Sequence, residues 1–190
     1  MAGEHLAEVE VRSRADLRDW LKQHHATGDS VWLVTWKKGS PHHLPRDQYV
    51  EELICWGWID SVPRKIDGER TAILVARRNP RSAWSGISKR HAETARKSGA
   101  MTGAGEAAIA AAQENGMWTF LDDVERLEVP DDLSAALGGL RPRWDEVPPS
   151  LRRGTLEWIK QAKTDATREK RIAQVADRLA AGQRPPPSKP

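Results

Sequence analysis

Residues 50–91 read VEELICWGWIDSVPRKIDGERTAILVARRNPRSAWSGISKRH, and this stretch decides the fold. It holds three tryptophans, eight lysines or arginines and the single cysteine of the chain. Asp67 and Gly68 form a strong turn signal between a short β-rich segment and the run from Thr71 to Ala76. We therefore predict a hairpin with its turn at these two residues. Pro63 indicates that the first strand either lies at an edge of the sheet or ends there.

The sequence before this hairpin predicts two helices and one further strand. Leu17 and Leu21 recur at helical spacing, and Ser13 precedes them as an N-cap. The segment VWLVTW at residues 31–36 is apolar without alternation, which favours a strand buried on both faces. A second apolar helix face follows and ends at Gly57. These elements predict a small antiparallel sheet with two helices.

After Pro80 the sequence becomes helical in character, with amphipathic and alanine-rich segments. The predicted fold class is α+β, a small antiparallel sheet with N-terminal helices followed by a mainly helical C-terminal half. We expect one compact domain over residues 1–182, sheet-containing over 13–86 and helical over 87–182. The tail 183–190 contains four prolines and no apolar anchor, so we predict that it is disordered.

Composition excludes several classes of protein. The 190 residues carry a net charge of only +3, and one cysteine excludes an intramolecular disulfide. We expect no secretory signal and no membrane span, because apolar runs are short, and we predict a cytoplasmic protein. The local charge is uneven: residues 63–98 carry ten basic against three acidic side chains. Such a stretch indicates either a surface that faces anions or a solvated basic face.

Metal and cofactor signatures are incomplete. The pairs His24-His25 and His42-His43 are adjacent in sequence, so their side chains diverge and do not chelate one metal. No phosphate-binding loop of the G-x-x-x-x-G-K type occurs. Cys55 lies on an apolar helix face, which is typical of a buried structural thiol. We therefore predict no metal site and no cofactor.

The block EELICWGWID at residues 51–60 resembles the E-E-A-L-C-F-G-W-I-D block of the YdeI/OmpD-associated family, whose members are sometimes described as bacteriocin-protection proteins. The likeness continues in order through RNPRSAWS at 78–85, LDDVE at 121–125, VPDDL at 129–133 and PPSLRRG at 148–154. The resemblance implies a bacterial accessory protein linked to envelope stress and cationic-peptide resistance, with an envelope protein as a partner. It implies no catalytic residues.

The residues themselves indicate a site in and just after the hairpin. Its predicted ligand-binding residues are Trp58, Asp60, Arg64, Arg78, Ser82, Trp84 and Ser85. The tryptophans serve either as aromatic walls or as core, and the two serines as ligand contacts or as helix caps. Asp60 and Arg64 form either a structural ion pair or an acid/base beside an anion clamp.

Three classes of function remain open. The first is a non-catalytic binding or stress-accessory protein that recognises a small anionic or planar ligand in a Trp/Arg pocket. The second is an enzyme, a hydrolase or transferase, that uses Asp60 with Arg64 and Arg78. The third is nucleic-acid binding through the basic stretch 63–98. We rank the binding module first.

Overall fold

The computed structural model describes residues 5–187, which divide into two compact units. Unit 1 extends to Phe120 and holds a sheet with four helices. Unit 2 begins at Leu121 and consists of helices over its described residues. The two helices that follow the sheet cluster with unit 1, not with the later helices. The prediction of a single domain over 1–182 concerns how the units associate, and it stays a prediction.

The sheet of unit 1 has four strands in the order β1-β2-β4-β3. Their bounds are β1 Glu8–Glu10, β2 Val31–Trp36, β3 Trp58–Lys65 and β4 Arg70–Arg77. The α+β class is confirmed, but the sheet is mixed because β1 pairs with β2 in parallel. The sequence did not predict β1, since a three-residue EVE segment carries no strand signal of its own.

A turn centred between Asp67 and Gly68 predicts that Ile59 pairs with Ala76 and Asp60 with Val75, and the hairpin of β3 and β4 has both pairs. Beyond Asp60 the register shifts, because three steps along β3 to Pro63 match only two along β4 to Ile73. An extra residue of this kind is a β-bulge, and it turns every later side chain of the strand to the other face. Arg64 therefore lies on the opposite face of the sheet from Asp60.

Four helices complete unit 1: α1 Arg14–His24, α2 Arg46–Cys55, α3 Gly86–Lys97 and α4 Gly103–Glu114. Ser13, Ser85 and Thr102 are N-caps whose side chains accept a bond from the backbone N–H three residues later. One face of the sheet packs against helices through a shared apolar core. That core includes Leu17, Leu21, Leu33, Leu53, Ile54, Trp58, Val75 and Ile109.

Unit 2 contains α5 Asp122–Glu125, α6 Asp131–Leu137, a 3₁₀ turn Gly138–Leu140, α7 Arg141–Asp145, α8 Pro149–Lys160 and α9 Asp165–Ala180. Trp144 is fully buried. Trp158 is only partly buried, beneath the guanidinium of Arg171, whose Cζ is 4.9 Å from the ring centroid. Over residues 5–187, no helix is long and apolar enough to cross a bilayer.

The C-terminal segment differs from the prediction of a tail without an anchor. Pro185 and Pro186 are buried, and the buried hydroxyl of Thr155 donates to the carbonyl oxygen of Pro186. Proline rings supply the apolar contact here, although the sequence offered no conventional apolar side chain. The expectation that the tail lacks an apolar anchor does not hold for Pro185 and Pro186, whereas disorder of the tail stays a prediction. Residues 188–190 lie outside the described part of the chain.

Truncation after Gly182 is expected to lower the unfolding free energy of unit 2 by about 1–2 kcal/mol. The deletion exposes the surface that Pro185 and Pro186 cover and removes one acceptor of Thr155. Urea unfolding followed by far-UV circular dichroism measures the change. A chain that ends at Pro187 is the control, expected within about 0.5 kcal/mol of the full chain. Equal stability of the two shortened chains would contradict a stabilising tail.

Candidate functional site

The two tryptophans predicted as pocket walls lie in the core of unit 1. Trp58 and Trp84 are both buried, and the indole Nε1 of Trp58 donates to the backbone oxygen of His25 at 3.2 Å. Trp84 packs against Trp118 with ring centroids 5.0 Å apart. Their burial supports the alternative role, that of core residues.

The predicted cluster of Asp60, Arg64 and Arg78 forms only in part: Asp60 and Arg78 line one small cavity, and Arg64 does not. Asp60 pairs with Arg46, Nη2 to Oδ2 at 2.7 Å. Arg64 lies on the other face of the sheet, with its Cζ 4.2 Å from the ring centroid of Trp32, and pairs with Glu8. The β-bulge after Asp60 is the physical reason, because it reverses which face Arg64 occupies. An enzyme site built on these three residues would therefore lack Arg64.

Ser82 and Ser85 have structural partners. The side chain of Ser85 accepts from the backbone N–H of Ser88 at 3.2 Å and caps α3. The backbone N–H of Ser82 donates to the carbonyl of Asn79 at 2.8 Å, which closes a turn. The cap role that the sequence left open is the one observed for Ser85, and Ser82 begins no helix.

Arg78 is a half-buried cation with few polar partners. Its Nη2 donates to the backbone oxygen of Ala83 at 2.6 Å, and its Cζ lies 4.0 Å from the ring centroid of Trp84. Within residues 5–187 its Nε is buried without a hydrogen-bond partner. Burial lowers the pKa of Arg78 to about 10, while the charge of Asp60 acts in the opposite direction. A nearby anion would therefore be favourable at this guanidinium.

An open cleft of about 660 Å³ lies beside Arg78, and we call it the β4–α4 cleft. It is lined by His25, Trp56, Gly57, Arg77, Arg78, Asn79, Pro80, Ala104, Ala107 and Ala108. Gly57 has φ +70°, which turns the chain from α2 into β3 where α4 approaches closely. A Cβ at Gly57 would lie 3.1 Å from the carbonyl oxygen of Ala104, so glycine permits this packing.

The electrostatics of the β4–α4 cleft are one-sided. Of the described residues that line it, two are arginines, one is a histidine and none is acidic. Arg77 is exposed and uses Nη1 to donate to the carbonyl of Ala26 at 3.0 Å, so other donors of its guanidinium remain available. His25 holds Nδ1 at 3.1 Å from the carbonyl of Leu21, which makes Nδ1 the protonated nitrogen.

Trp56, not Trp58 or Trp84, is the aromatic side chain of this cleft. Its indole Nε1 donates to Oε1 of Glu52 at 3.1 Å, and its ring centroid is 4.8 Å from that of His25. The guanidinium of Arg18 lies 5.7 Å from the Trp56 ring centroid. These contacts hold the indole at the rim of the cleft, partly exposed.

Glu52 is a buried carboxylate that fixes Trp56 and joins two helices. Besides Trp56 it accepts from Arg14 Nε at 2.8 Å and from Arg18 Nη1 at 2.7 Å, both on α1. Arg14 also reaches Glu51 at 2.8 Å. The sequence patterns did not predict this network. The one feature that could have indicated it is a carboxylate, Glu52, on the apolar face of α2. Its partners lie 34 and 38 residues away, beyond any local pattern.

Nucleophilic and metal chemistry find no support among the described residues. Burial raises the pKa of the Cys55 thiol to about 11, and the nearby charge of Glu52 acts in the same direction. The thiol is therefore protonated at neutral pH, as the sequence interpretation of a structural cysteine requires. Over residues 5–187, no group of three or more His, Cys, Asp and Glu side chains has a geometry that could hold a metal ion.

The basic stretch 63–98 is partly neutralised by the fold. Four of its cations form ion pairs with carboxylates: Arg64 with Glu8, Arg70 with Glu10 and Asp67, Arg96 with Glu106, and Lys97 with Glu93. Only two of these five carboxylates, Asp67 and Glu93, belong to the stretch itself. The charge excess read from the sequence thus overstates the field of the folded surface, which weakens the nucleic-acid alternative.

Comparison with known families divides the chain in the same way as its compact units. Residues 9–108, in unit 1, match the family model described as Domain of unknown function (DUF8412). Residues 126–182, in unit 2, match the one described as Bacteriocin-protection, YdeI or OmpD-Associated. The resemblance predicted from sequence is confirmed over that second range, whereas block 51–60 falls within the first model. No curated protein and no solved structure matches the chain.

Proposed function

The chain belongs to the family described as a domain of unknown function (DUF8412), and we propose that unit 1 is a non-catalytic module that binds a small anion with a planar apolar part. The ligand occupies the β4–α4 cleft. The observation that carries this proposal is the lining, which combines Arg77 and Arg78 with the indole of Trp56 and has no acidic member among its described residues.

Each part of the cleft has a role in this proposal. Arg77 and Arg78 hold the anionic group, since guanidinium donors suit carboxylate and phosphoryl oxygens. Trp56, Pro80 and the alanines of α4 supply apolar contact for the planar part. A volume of about 660 Å³ lies in the range of small-molecule sites, roughly 300–1,000 Å³.

The proposal keeps the predicted ligand class and changes the residues. Arg78 remains from the predicted site, whereas Trp56 takes the role assigned to Trp58 and Trp84, and Arg77 that assigned to Arg64. The match of residues 126–182 supports an accessory role of the YdeI/OmpD-associated type. A link to envelope stress and to an envelope partner is part of the proposal. The ion pair of Asp60 with Arg46 supports a non-catalytic module, because Asp60 is the acid/base of the enzyme alternative.

A matched pair of probes tests the proposal: 2-naphthoate and its neutral analogue 2-naphthamide, titrated by isothermal calorimetry. The anion is expected to bind at least about tenfold more tightly, because a charged hydrogen bond contributes about 1.5–3 kcal/mol. Arg78→Ala is expected to remove this preference with modest loss of stability. Arg77→Gln, at an exposed position, should reduce it without affecting folding.

Arg90→Ala is the control variant, since Arg90 is exposed on α3 and does not line the cleft. It should bind 2-naphthoate as the parent protein does. Equal affinities for the acid and the amide would contradict an anion site. Retained binding in a folded Arg78→Ala protein would show that Arg78 is structural.

A further inference from the structure

Unit 2 contains a second and smaller cavity, of about 190 Å³, which we call the α5–α8 cavity. It is lined by Asp123, Val124, Glu128, Pro130, Leu156, Ile159, Lys160 and Arg168. Val124, Leu156 and Ile159 are buried and form an aliphatic floor. Its volume is of the order of the apolar cavity of about 150 Å³ that accepts a benzene-sized guest.

The charges of the α5–α8 cavity are balanced, in contrast to the β4–α4 cleft. The lining has two cations, Lys160 and Arg168, and two carboxylates, Asp123 and Glu128. Lys160 Nζ is 2.6 Å from both carboxylate oxygens of Asp123. Arg168 makes two bonds to Asp132, at 2.6 and 2.9 Å. Glu128 pairs with Arg126, which is outside the lining, at 2.5 Å, so each charged group of the lining has a partner of opposite sign.

The pKa values at the mouth favour the charged forms. The pKa of Asp123 is lowered: burial opposes the shift, but the hydrogen bond from Lys160 outweighs it together with weaker contributions. That of Arg168 is raised, first by its hydrogen bond to Asp132. The cavity therefore presents the charged forms of Asp123 and Arg168 beside an aliphatic floor at neutral pH.

We propose that the α5–α8 cavity binds a small zwitterion with a branched aliphatic side chain, the chemistry of a free aliphatic α-amino acid. The side chain rests on Val124, Leu156 and Ile159, where it is removed from water. The ligand carboxylate takes donors from Lys160 or Arg168, and its ammonium faces Asp123 or Glu128. A ligand with one charge only makes one of these two charged contacts and loses the other.

Three probes of matched shape separate the two charges: leucine, 4-methylpentanoate, which lacks the ammonium, and 3-methylbutylamine, which lacks the carboxylate. Ligand-observed NMR and calorimetry on the full chain give their affinities. Leucine is expected to bind at least about tenfold more tightly than either single-charge probe. Equal binding of 4-methylpentanoate or of the amine would overturn the proposal, and so would the absence of leucine binding at millimolar concentration.

A paired substitution locates the site. Lys160→Gln with Asp123→Asn replaces an ion pair by two neutral polar side chains, and leucine affinity is expected to fall about tenfold. Arg141→Gln with Asp145→Asn is the control, because that pair is outside the cavity lining, with Arg141 Nε 3.1 Å from Asp145 Oδ2. An equal loss in the control, or none in the Lys160/Asp123 pair, would place leucine elsewhere and overturn the assignment. The parent protein's preference among the three probes does not depend on either variant folding.

Discussion

Replacement of Gly105 by alanine is expected to destabilise unit 1 by about 3 kcal/mol or more, because α4 packs directly against the backbone at the end of α2. A Cβ at this position would lie 2.5 Å from Met101 Sδ and 2.8 Å from the carbonyl carbon of Cys55, with the Cys55 oxygen closer still. Methionine can move, but the Cys55 carbonyl also accepts the Thr102 hydroxyl at 2.5 Å. Overpacking against a fixed backbone lies at or above the usual range of about 1–3 kcal/mol.

Gly103 provides the control within the same helix. A Cβ there would have no atom within 4 Å, so Gly103→Ala gains helix propensity without overlap. It is expected to leave the unfolding free energy unchanged or to raise it by up to about 1 kcal/mol. Urea unfolding followed by tryptophan fluorescence compares the two variants. If they differ by less than about 1 kcal/mol, α4 does not pack on Cys55 as described.

The second large effect is expected for Glu52→Gln, which should cost unit 1 about 3 kcal/mol. Glu52 has an exposed fraction of 0 %, and its carboxylate compensates Arg14 and Arg18. Removal of one member of a buried ion pair costs about 3–5 kcal/mol. The value should lie near the lower end, since these arginines retain 33 % and 38 % side-chain exposure and recover part of their hydration.

Glu106→Gln is the matched exposed case. Glu106 pairs with Arg96 at 2.6 Å but keeps 45 % of its side chain exposed, so its loss should cost less than about 1 kcal/mol. Chemical unfolding compares Glu52→Gln with Glu106→Gln. Adding Arg18→Gln and the Arg18→Gln/Glu52→Gln double mutant gives the coupling free energy between Arg18 and Glu52. Equal losses of unfolding free energy in Glu52→Gln and Glu106→Gln would mean that the burial of Glu52 does not increase the contribution of its ion pairs to stability.

Local signals predicted the hairpin well and the site incompletely. A two-residue turn at Asp67-Gly68 would pair Arg64 with Thr71, but Arg64 pairs with Ala72, one residue further along β4. The predicted pairing is reached only beyond the bulge, where Asp60 pairs with Val75. The bulge depends on how β3 fits β4, and Pro63 alone does not predict it, because proline is equally compatible with an edge strand. Arg64 was therefore assigned to the wrong face.

The aromatic residue of the cleft was missed for a related reason. Trp56 and Trp58 are two residues apart, but Gly57 at positive φ separates them, so that Trp58 enters the core and Trp56 stays at the surface. Periodicity within one element does not extend across such a turn. Glu52 was missed because its partners on α1 are distant in sequence.

The bulge in β3 also bears on self-association. β3 is an edge strand, and a regular edge offers a row of unpaired backbone groups to which a strand of another molecule can add. In β3 that row is interrupted between Asp60 and Pro63, and Pro63 has no N–H to donate. The opposite edge, β1, is only three residues long and carries two glutamates. The irregularity that separates Arg64 from Asp60 thus protects a small sheet against intermolecular strand addition.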